Sequence, residues 1–290
     1  MTQKTVAVVT STIGRPELIR AIESVRNQTY PCKHYIFVDG EQFHEKVREI
    51  VKPYSNIPNI IVTYLPMNTG ADGWINSFIN AAAPFLVKED ILCYLDDDNW
   101  YDPEHIGAIA EAFNQHNVDM AFNLRKLYDN EGNFLCEDNV ESIGFWYASD
   151  KLRYIMNYKG ESVSMETQLH RTNGHIDTNC LGFSLETARQ LANEWTAVKY
   201  CNDHRMLSHY FSLNKPSFCT GKRTVNYVVN FNQFVTDISS ILNQFNWGRE
   251  DEYPVKKLMI KGMNSSISPE LHHWLKPTLF HNNQLTVLEE

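Results

Sequence analysis

The sequence predicts an α/β fold, a doubly wound and mostly parallel sheet flanked by helices, with a C-terminal extension. Three observations predict it. Short β-branched runs alternate with helical stretches from residue 4 to residue 124. Several runs end in polar, aspartate-bearing segments, as strands do in open parallel sheets that bind ligands at their carboxyl ends. The chain has 290 residues, 43% of them hydrophobic and 12% aromatic, which is ample for one large domain.

The run "KTVAVVT" (4–10) reads as a buried strand. In "STIGRPELIRAIESVRNQ", Pro16 suits a first helical turn, and Leu18, Ile19, Ile22 and Val25 recur at helical spacing. "HYIFVDG" (34–40) is a second strand ending at Asp39, "FHEKVREIVKPY" the next helix, and "NIIVTYL" (59–65) a third strand. "TGADGWINSFINAAAPFL" is a helix entered through a glycine-bearing loop. "DILCYLD" (90–96) is a fourth strand and "VDMAFNL" (118–124) a fifth. Between them lies the helix "DPEHIGAIAEAFNQH", with Asp102 as N-cap and Pro103 at the first helical position. After residue 125 the rhythm changes. "KLYDNEGNFLCED" looks like a hairpin around Asn130-Glu131-Gly132, and 184–195 and 203–213 read as helices, the first opened by Ser184. "DISSILNQF" and "PELHHWLK" are helix candidates within 235–290.

Composition narrows the function. Net charge is −9, from 26 basic and 35 acidic residues, which argues against nucleic acid as a partner. The six cysteines are scattered without a C-x-x-C pair, the pattern of reduced thiols in a cytoplasmic protein. The N-terminus lacks the apolar core of a signal peptide, and no run approaches the ~18 apolar residues that span a bilayer. The expectation is a cytoplasmic protein, at most in peripheral contact with the inner face of a membrane through the mixed basic and apolar stretch around Lys256, Lys257 and Lys261.

"YLDDDNW" (94–100) sets three carboxylates, Asp96, Asp97 and Asp98, directly after an apolar strand. Their repulsion is offset if a cation sits among them. D-x-D spacing suits Mg²⁺ or Mn²⁺, which take oxygen ligands and keep positions open for water and phosphate. Strand alternation would turn Asp96 and Asp98 to one side and Asp97 away, with Asp98 on the metal and Asp96 on ribose or a metal-bound water. The bland alternative, an acidic turn capping the next helix, leaves the cluster unexplained if Asp102 is that cap. An EF-hand is excluded because Tyr101 stands where the loop needs glycine. P-loop, dinucleotide, zinc-protease and nucleophile-elbow motifs are absent.

Four segments in order resemble the family 2-like glycosyltransferases with the GT-A fold. They are "VVTSTIGRPELIRAIESVRNQTYP", "YIFVDG", "NTGADGWINSFINAA" and "YLDDDNWYDPEHI", spread over the first 210 residues together with a later acidic helix start. The resemblance implies a metal-dependent, inverting transferase that moves a sugar from a nucleoside-diphosphate donor, UDP-sugar favoured, to a saccharide or lipid-linked acceptor. Bacterial surface-polysaccharide synthesis is the implied setting. By position, Thr10, Ser11, Thr12, Arg15, Asp39, Asn68, Gly70, Asp96 and Asp97 would contact the nucleotide, with Asp39 reading the base. Asp98 and Asp96 would hold Mn²⁺ or Mg²⁺. Asp203, in "YCNDHRMLSHYF", would be the catalytic base, although Asn202 stands where the family commonly has Glu. His175, Asp177 and Trp100 would face acceptor or donor sugar. Lys222 and Arg223 are candidates for the diphosphate, and His281 for the metal shell. The sequence departs from the family at 72–76, where an Arg often precedes the Asn.

Residues 1–234 are expected to form the transferase domain, 1–124 as its nucleotide-binding half and 125–234 as its acceptor half. Residues 235–290 are expected to form a helical extension packed on the same domain. The rivals are a sugar-phosphate nucleotidyltransferase, which lacks support without a glycine-rich loop after the first strand, and a non-catalytic carbohydrate-binding module of the same fold.

Overall fold

β-Branched runs and amphipathic stretches become strands and helices nearly where the alternation puts them. The structure, a computed structural model, describes residues 3–144, 150–169, 175–235, 237–267, 275–282 and 284–288. In chain order the first half comprises β1 (Val6–Thr12), α1 (Leu18–Arg26), β2 (Lys33–Asp39), α2 (His44–Val51), β3 (Ile60–Leu65), α3 (Ser77–Leu86), β4 (Ile91–Tyr94), β5 (Trp100–Tyr101), α4 (His105–His116) and β6 (Met120–Tyr128). The second comprises β7 (Phe134–Glu137), β8 (Asp150–Tyr158), β9 (Glu161–Leu169), β10 (Leu181–Ser184), α5 (Leu185–Gln190), α6 (Asn202–Ser212), β11 (Ser217–Val228), α7 (Phe231–Phe234), α8 (Ser239–Gln244), α9 (Glu252–Ser265), β12 (Thr278–His281) and β13 (Gln284–Val287).

The central sheet runs β13-β12-β11-β6-β10-β4-β1-β2-β3. β3, β2, β1 and β4 are mutually parallel, and β6 and β11 follow the same direction beyond β10, which runs antiparallel between β4 and β6. β1 has β2 on one side and β4 on the other, so the strand order reverses there and leaves a crevice at the carboxyl edge. Leu18, Ile22, Val47 and Val51 seat α1 and α2 against Ile36 and Val38 of β2. The main core joins Ile79 and Ala83 of α3, Ile106 and Ile109 of α4, and Met206 and Tyr210 of α6 to the sheet.

A separate core holds the long hairpin β8–β9 against α9, through Tyr154, Met156 and Val163 on one side and Val255, Met259, Ile260 and Met263 on the other. Gly262 permits this approach, since a Cβ there would lie 2.2 Å from the Tyr154 ring. Of the basic stretch, Lys256 is buried beside Glu252 at 2.8 Å and the partly exposed Lys257 pairs with Asp129 at 2.6 Å, while Lys261 is exposed.

Residues 235–290 are not wholly helical, because β12 and β13 add a hairpin to the sheet edge beside β11. The helix expected at 269–276 falls largely outside the described residues. Asp102 does not cap α4 with its side chain. Its carboxylate instead takes Lys126 at 2.6 Å and Asn226 at 2.8 Å, and α4 begins at His105. Among the described residues no helix is long and apolar enough to cross a membrane.

Candidate functional site

A cavity of about 420 Å³ opens at the carboxyl edge where the strand order reverses. The end of β1 supplies Ser11 and Thr12, the loop after it Arg15, and the end of β2 Asp39. Asn68, Gly70 and Asn76 come from the approach to α3, and Asp96, Asp97 and Asp98 from the turn after β4. Tyr227 and Asn230, at and beyond the end of β11, close the far wall. Residues from both halves of the chain therefore meet in one hollow.

β4 stops at Tyr94, so the three aspartates lie on a turn and strand alternation no longer sorts them. All three face the cavity, Asp97 included. Asp96 accepts hydrogen bonds from Asn76 Nδ2 and Asn179 Nδ2, both at 2.8 Å, while its backbone N–H donates to Asn179 Oδ1 at 2.7 Å. Asp97 is buried and accepts from Thr12 Oγ1 at 2.6 Å. The Arg15 guanidinium bonds Asp98 closely and lies 3.5 Å from Asp97. Burial first, then the neighbouring carboxylates, push Asp96 up to about 7. Burial also raises Asp97, to about 6, against the pull of Thr12 and Arg15, and Asp98 is raised in the same direction.

Asp39 organises the other wall. Its Oδ1 accepts from the backbone N–H of Thr69 at 2.7 Å and from Thr69 Oγ1 at 2.8 Å, and its Oδ2 from the Gly70 N–H at 2.8 Å. Asn68 Oδ1 accepts from the same Gly70 N–H at 3.0 Å. Gly70 is required by space, since a Cβ would fall 2.1 Å from the Ile75 carbonyl oxygen. Thr10 is not in the cavity. Its side chain is buried within the sheet and pairs with His34 Nε2 at 2.8 Å, because it lies two residues back from the carboxyl edge that Thr12 reaches.

Beyond Asp96 lies a second charged group. Arg125 of β6 is fully buried and donates to Asp138 at 2.6 Å, to Asp177 at 2.8 Å and to Glu141, with its guanidinium 4.2 Å from the Tyr227 ring centroid. Burial opposes its charge, but Asp138, Glu141 and Asp177 together hold it firmly protonated. Asp177 is thus a structural anchor, with Oδ2 on Arg125 and Oδ1 accepting from Asn179 N–H at 2.9 Å and Asn179 Nδ2 at 2.8 Å. Asp203 sits in the first turn of α6, with Oδ2 3.9 Å from His175 Nε2. Burial, offset in part by His175, raises the Asp203 carboxyl above the ordinary range. Asn202 Nδ2 donates to Ser77 Oγ at 2.8 Å, which ties this turn to α3 one residue from Asn76.

Other expected positions lie elsewhere. Trp100 is outside the cavity lining, under the Arg20 guanidinium at 3.8 Å and against Tyr128 at 4.6 Å. Arg223 is bound by Asp138 O at 2.9 Å and by Asn139, and Lys222 faces Glu111 on α4, so neither reaches the cavity. His281 follows Phe280, which pairs with Ser217 at the start of β11, the opposite end from Tyr227. Residues 170–174, at the head of the segment containing His175 and Asp177, lie outside the described residues.

Among the described residues no three His, Cys, Asp or Glu side chains converge as a preformed metal cage. Mg²⁺ and Mn²⁺ do not need one, since one or two carboxylates plus water and phosphate oxygens complete their shells. Asp98 and Asp96 fit that donor set, and the guanidinium against Asp98 is a cation already standing in this place.

A family model described as glycosyl transferase family 2 matches residues 7–170. An uncharacterized protein of Haemophilus influenzae is 29% identical over 122 residues, covering 41% of this chain and 80% of that protein. The solved structure of S. aureus TarS 1-349 superposes with a TM-score of 0.55 at 13% identity, over 80% of this chain and 62% of that one. TarS 1-349 in complex with UDP-GlcNAc matches at 0.53 and 14%, over 78% and 59%. The chain thus spans less than two thirds of the TarS fragment, and at such identities the likeness is one of fold.

Proposed function

The chain belongs to glycosyl transferase family 2 and is a glycosyltransferase; on that premise we propose that it is a metal-dependent, inverting enzyme that moves a sugar from a UDP-sugar to a hydroxyl of a saccharide or lipid-linked acceptor. The observation that carries this reading is the floor of the cavity, where Asp96, Asp97, Asp98, Arg15 and Asp39 converge at the strand-order reversal. In this reading residues 1–124 bind the donor, 125–234 serve the acceptor, and 235–290 pack on the same domain.

Each group has a task that its surroundings suit. Three of the roughly four lone-pair sites of the Asp39 carboxylate are taken by Thr69 and Gly70, which leaves one to accept the imino N–H of uracil. Thr12 and Asn68 flank the ribose and diphosphate. Mn²⁺ or Mg²⁺, held by Asp98 and Asp96, would supply positive charge to the departing diphosphate. Arg15 would leave Asp98 and turn to the phosphate oxygens, bidentate recognition that guanidinium geometry favours. Asp203 would accept the acceptor hydroxyl's proton as its oxygen bonds the anomeric carbon and the bond from that carbon to the diphosphate breaks. A raised carboxyl is the better base for this step, and His175 beside it steadies the ionised form.

Calorimetric titration of UDP, GDP and dTDP, with and without Mn²⁺, tests the reading on wild type, Asp98→Ala and Arg15→Ala. UDP should bind with Mn²⁺ and fail to bind Asp98→Ala. Arg15→Ala should weaken UDP about tenfold while tightening Mn²⁺ binding in its absence. UDP binding indifferent to metal and to Asp98 would overturn the metal assignment. No nucleotide binding at all would overturn the donor assignment.

A further inference from the structure

The sequence of α3, "SFINAAAPFL", contains no charged residue, yet the helix is only half covered. Ser77, Ile79, Asn80, Ala83 and Pro84 are buried, whereas Phe78 is 41%, Phe85 62% and Leu86 58% exposed. Those three stand at i, i+7 and i+8 and so share one face. The apolar surface continues past the start of the helix. Trp74 lies 5.0 Å from Phe78, and Tyr200, 70% exposed, comes down over Gly73. A helix that is apolar all round is ordinarily enclosed, and an exposed apolar patch of this kind marks an interaction site.

Three cations border the patch. Lys88 follows α3, and Arg189 is held at its carboxyl end by donation from Nε to the Pro84 carbonyl at 2.9 Å. Lys199 lies 5.5 Å from the Trp74 ring. None of the three is in an ion pair among the described residues, in a chain whose net charge is −9. Three exposed carboxylates stand nearby: Asp72 at the end nearest the cavity, Asp90 two residues after Lys88 and Glu186 three residues before Arg189. Aromatic and aliphatic side chains rimmed by lysine and arginine match the acyl boundary and anionic headgroups of a lipid surface, while the overall negative charge would keep other faces away. Ile75 and Asn76, in the turn before α3, also line the donor cavity.

We propose that the exposed face of α3, with Trp74 and Tyr200, docks on an anionic lipid bilayer and presents the cavity mouth to the membrane plane. The consequence for a lipid-linked acceptor rests on the transferase reading; docking itself does not. Sedimentation of the full chain with vesicles tests it, using phosphatidylcholine alone and phosphatidylcholine containing phosphatidylglycerol. The chain should pellet with the anionic vesicles and not with the neutral ones, and should be released by salt. Lys88→Gln and Lys199→Gln should each weaken the association about fivefold. Phe85→Ser combined with Leu86→Ser should abolish it, while leaving the melting temperature and UDP affinity unchanged. Equal binding to both vesicle types, no binding to either, or unchanged binding by the double variant would overturn the proposal. So would sedimentation velocity showing a dimer that the double variant dissolves, since a second copy would then be the occupant.

Discussion

Replacing Arg125 by methionine removes the cation but keeps most of the volume, and the cost can be worked from its partners. Asp138 is fully buried and would lose the guanidinium at 2.6 Å. It would keep backbone N–H donors from Val140 at 3.0 Å, Glu141 at 2.8 Å and Ser142 at 3.0 Å. Asp177 would lose the partner of Oδ2 and keep Asn179 on Oδ1. Glu141 is partly exposed and can turn to water. Breaking a buried ion pair from one side typically costs 3–5 kcal/mol, and the retained donors place this case at about 3 kcal/mol. That corresponds to a fall in melting temperature of roughly 5–10 °C.

The pH dependence has a definite sign. In the wild type, burial pushes Asp138 up, but Arg125 and the three N–H donors pull harder, and its carboxyl ends below the ordinary range. Its contribution to stability is therefore present above the unfolded value of about 3.9 and lost as pH falls through the folded value. Without Arg125 only burial and the backbone donors remain, so the gap between variant and wild type should open as pH rises above about 4 and narrow below it. Adding Asp138→Asn should recover part of the loss, because it removes the orphaned charge. Thermal unfolding of wild type, Arg125→Met and the double variant between pH 4 and pH 8 reads all of this. A shift under about 2 °C at pH 7, or a gap independent of pH, would refute the account of Arg125 as the counter-ion of a buried acidic cluster.

Three further outcomes follow from the cavity. Because burial and neighbouring carboxylates raise Asp96 to about 7 and Asp97 to about 6, a cation must displace protons there, and Mn²⁺ affinity should rise up to tenfold per pH unit between 5.5 and 7. For the same groups the folded value exceeds the unfolded one, so stability present in acid is lost as pH rises through about 6 to 7, and saturating Mn²⁺ should restore it; Mn²⁺ titrations that are flat with pH would contradict both. In Gly70→Ala the methyl group would meet the Ile75 carbonyl, so the 68–76 loop must move. UDP affinity should fall at least tenfold by calorimetry while the melting temperature moves by less than about 2 °C, since the loop lies outside the core; unchanged affinity would place the nucleotide elsewhere.

What could be read in the chain beforehand follows the range of the interactions. Periodicity locates β1 to β4 and their helices because each strand is sorted locally by burial, and the parallel crossovers then bring Thr12, Asp39 and Asp96 to one edge. Alternation fails at Asp97 because β4 ends three residues earlier, and the capping expectation fails at Asp102 because its side chain is taken by Lys126 and Asn226 at greater sequence distance. Arg125 went unread for the same reason, its partners lying 13, 16 and 52 residues away. A local signal did exist. β6 is a central strand buried along nearly its whole length, so Asn123 and Arg125 within it had to be met by buried partners.

The partners of the acidic turn explain why "YLDDDNW" can carry three carboxylates and remain folded. Asp96 is positioned by Asn76 and Asn179, neutral amides that fix its direction without cancelling its charge. Asp97 has a hydroxyl, from Thr12, as its direct donor. Of the three, Asp98 alone is hydrogen-bonded by a full positive charge, and that charge sits on Arg15, a half-exposed loop side chain that also lies 3.5 Å from Asp97. Had a buried lysine or arginine neutralised Asp96, as Arg125 does Asp138, the turn would be more stable and unable to attract a cation. Neutral donors hold the geometry while leaving the charge unmet, and this separation of positioning from neutralisation is what a cation- and diphosphate-binding floor requires.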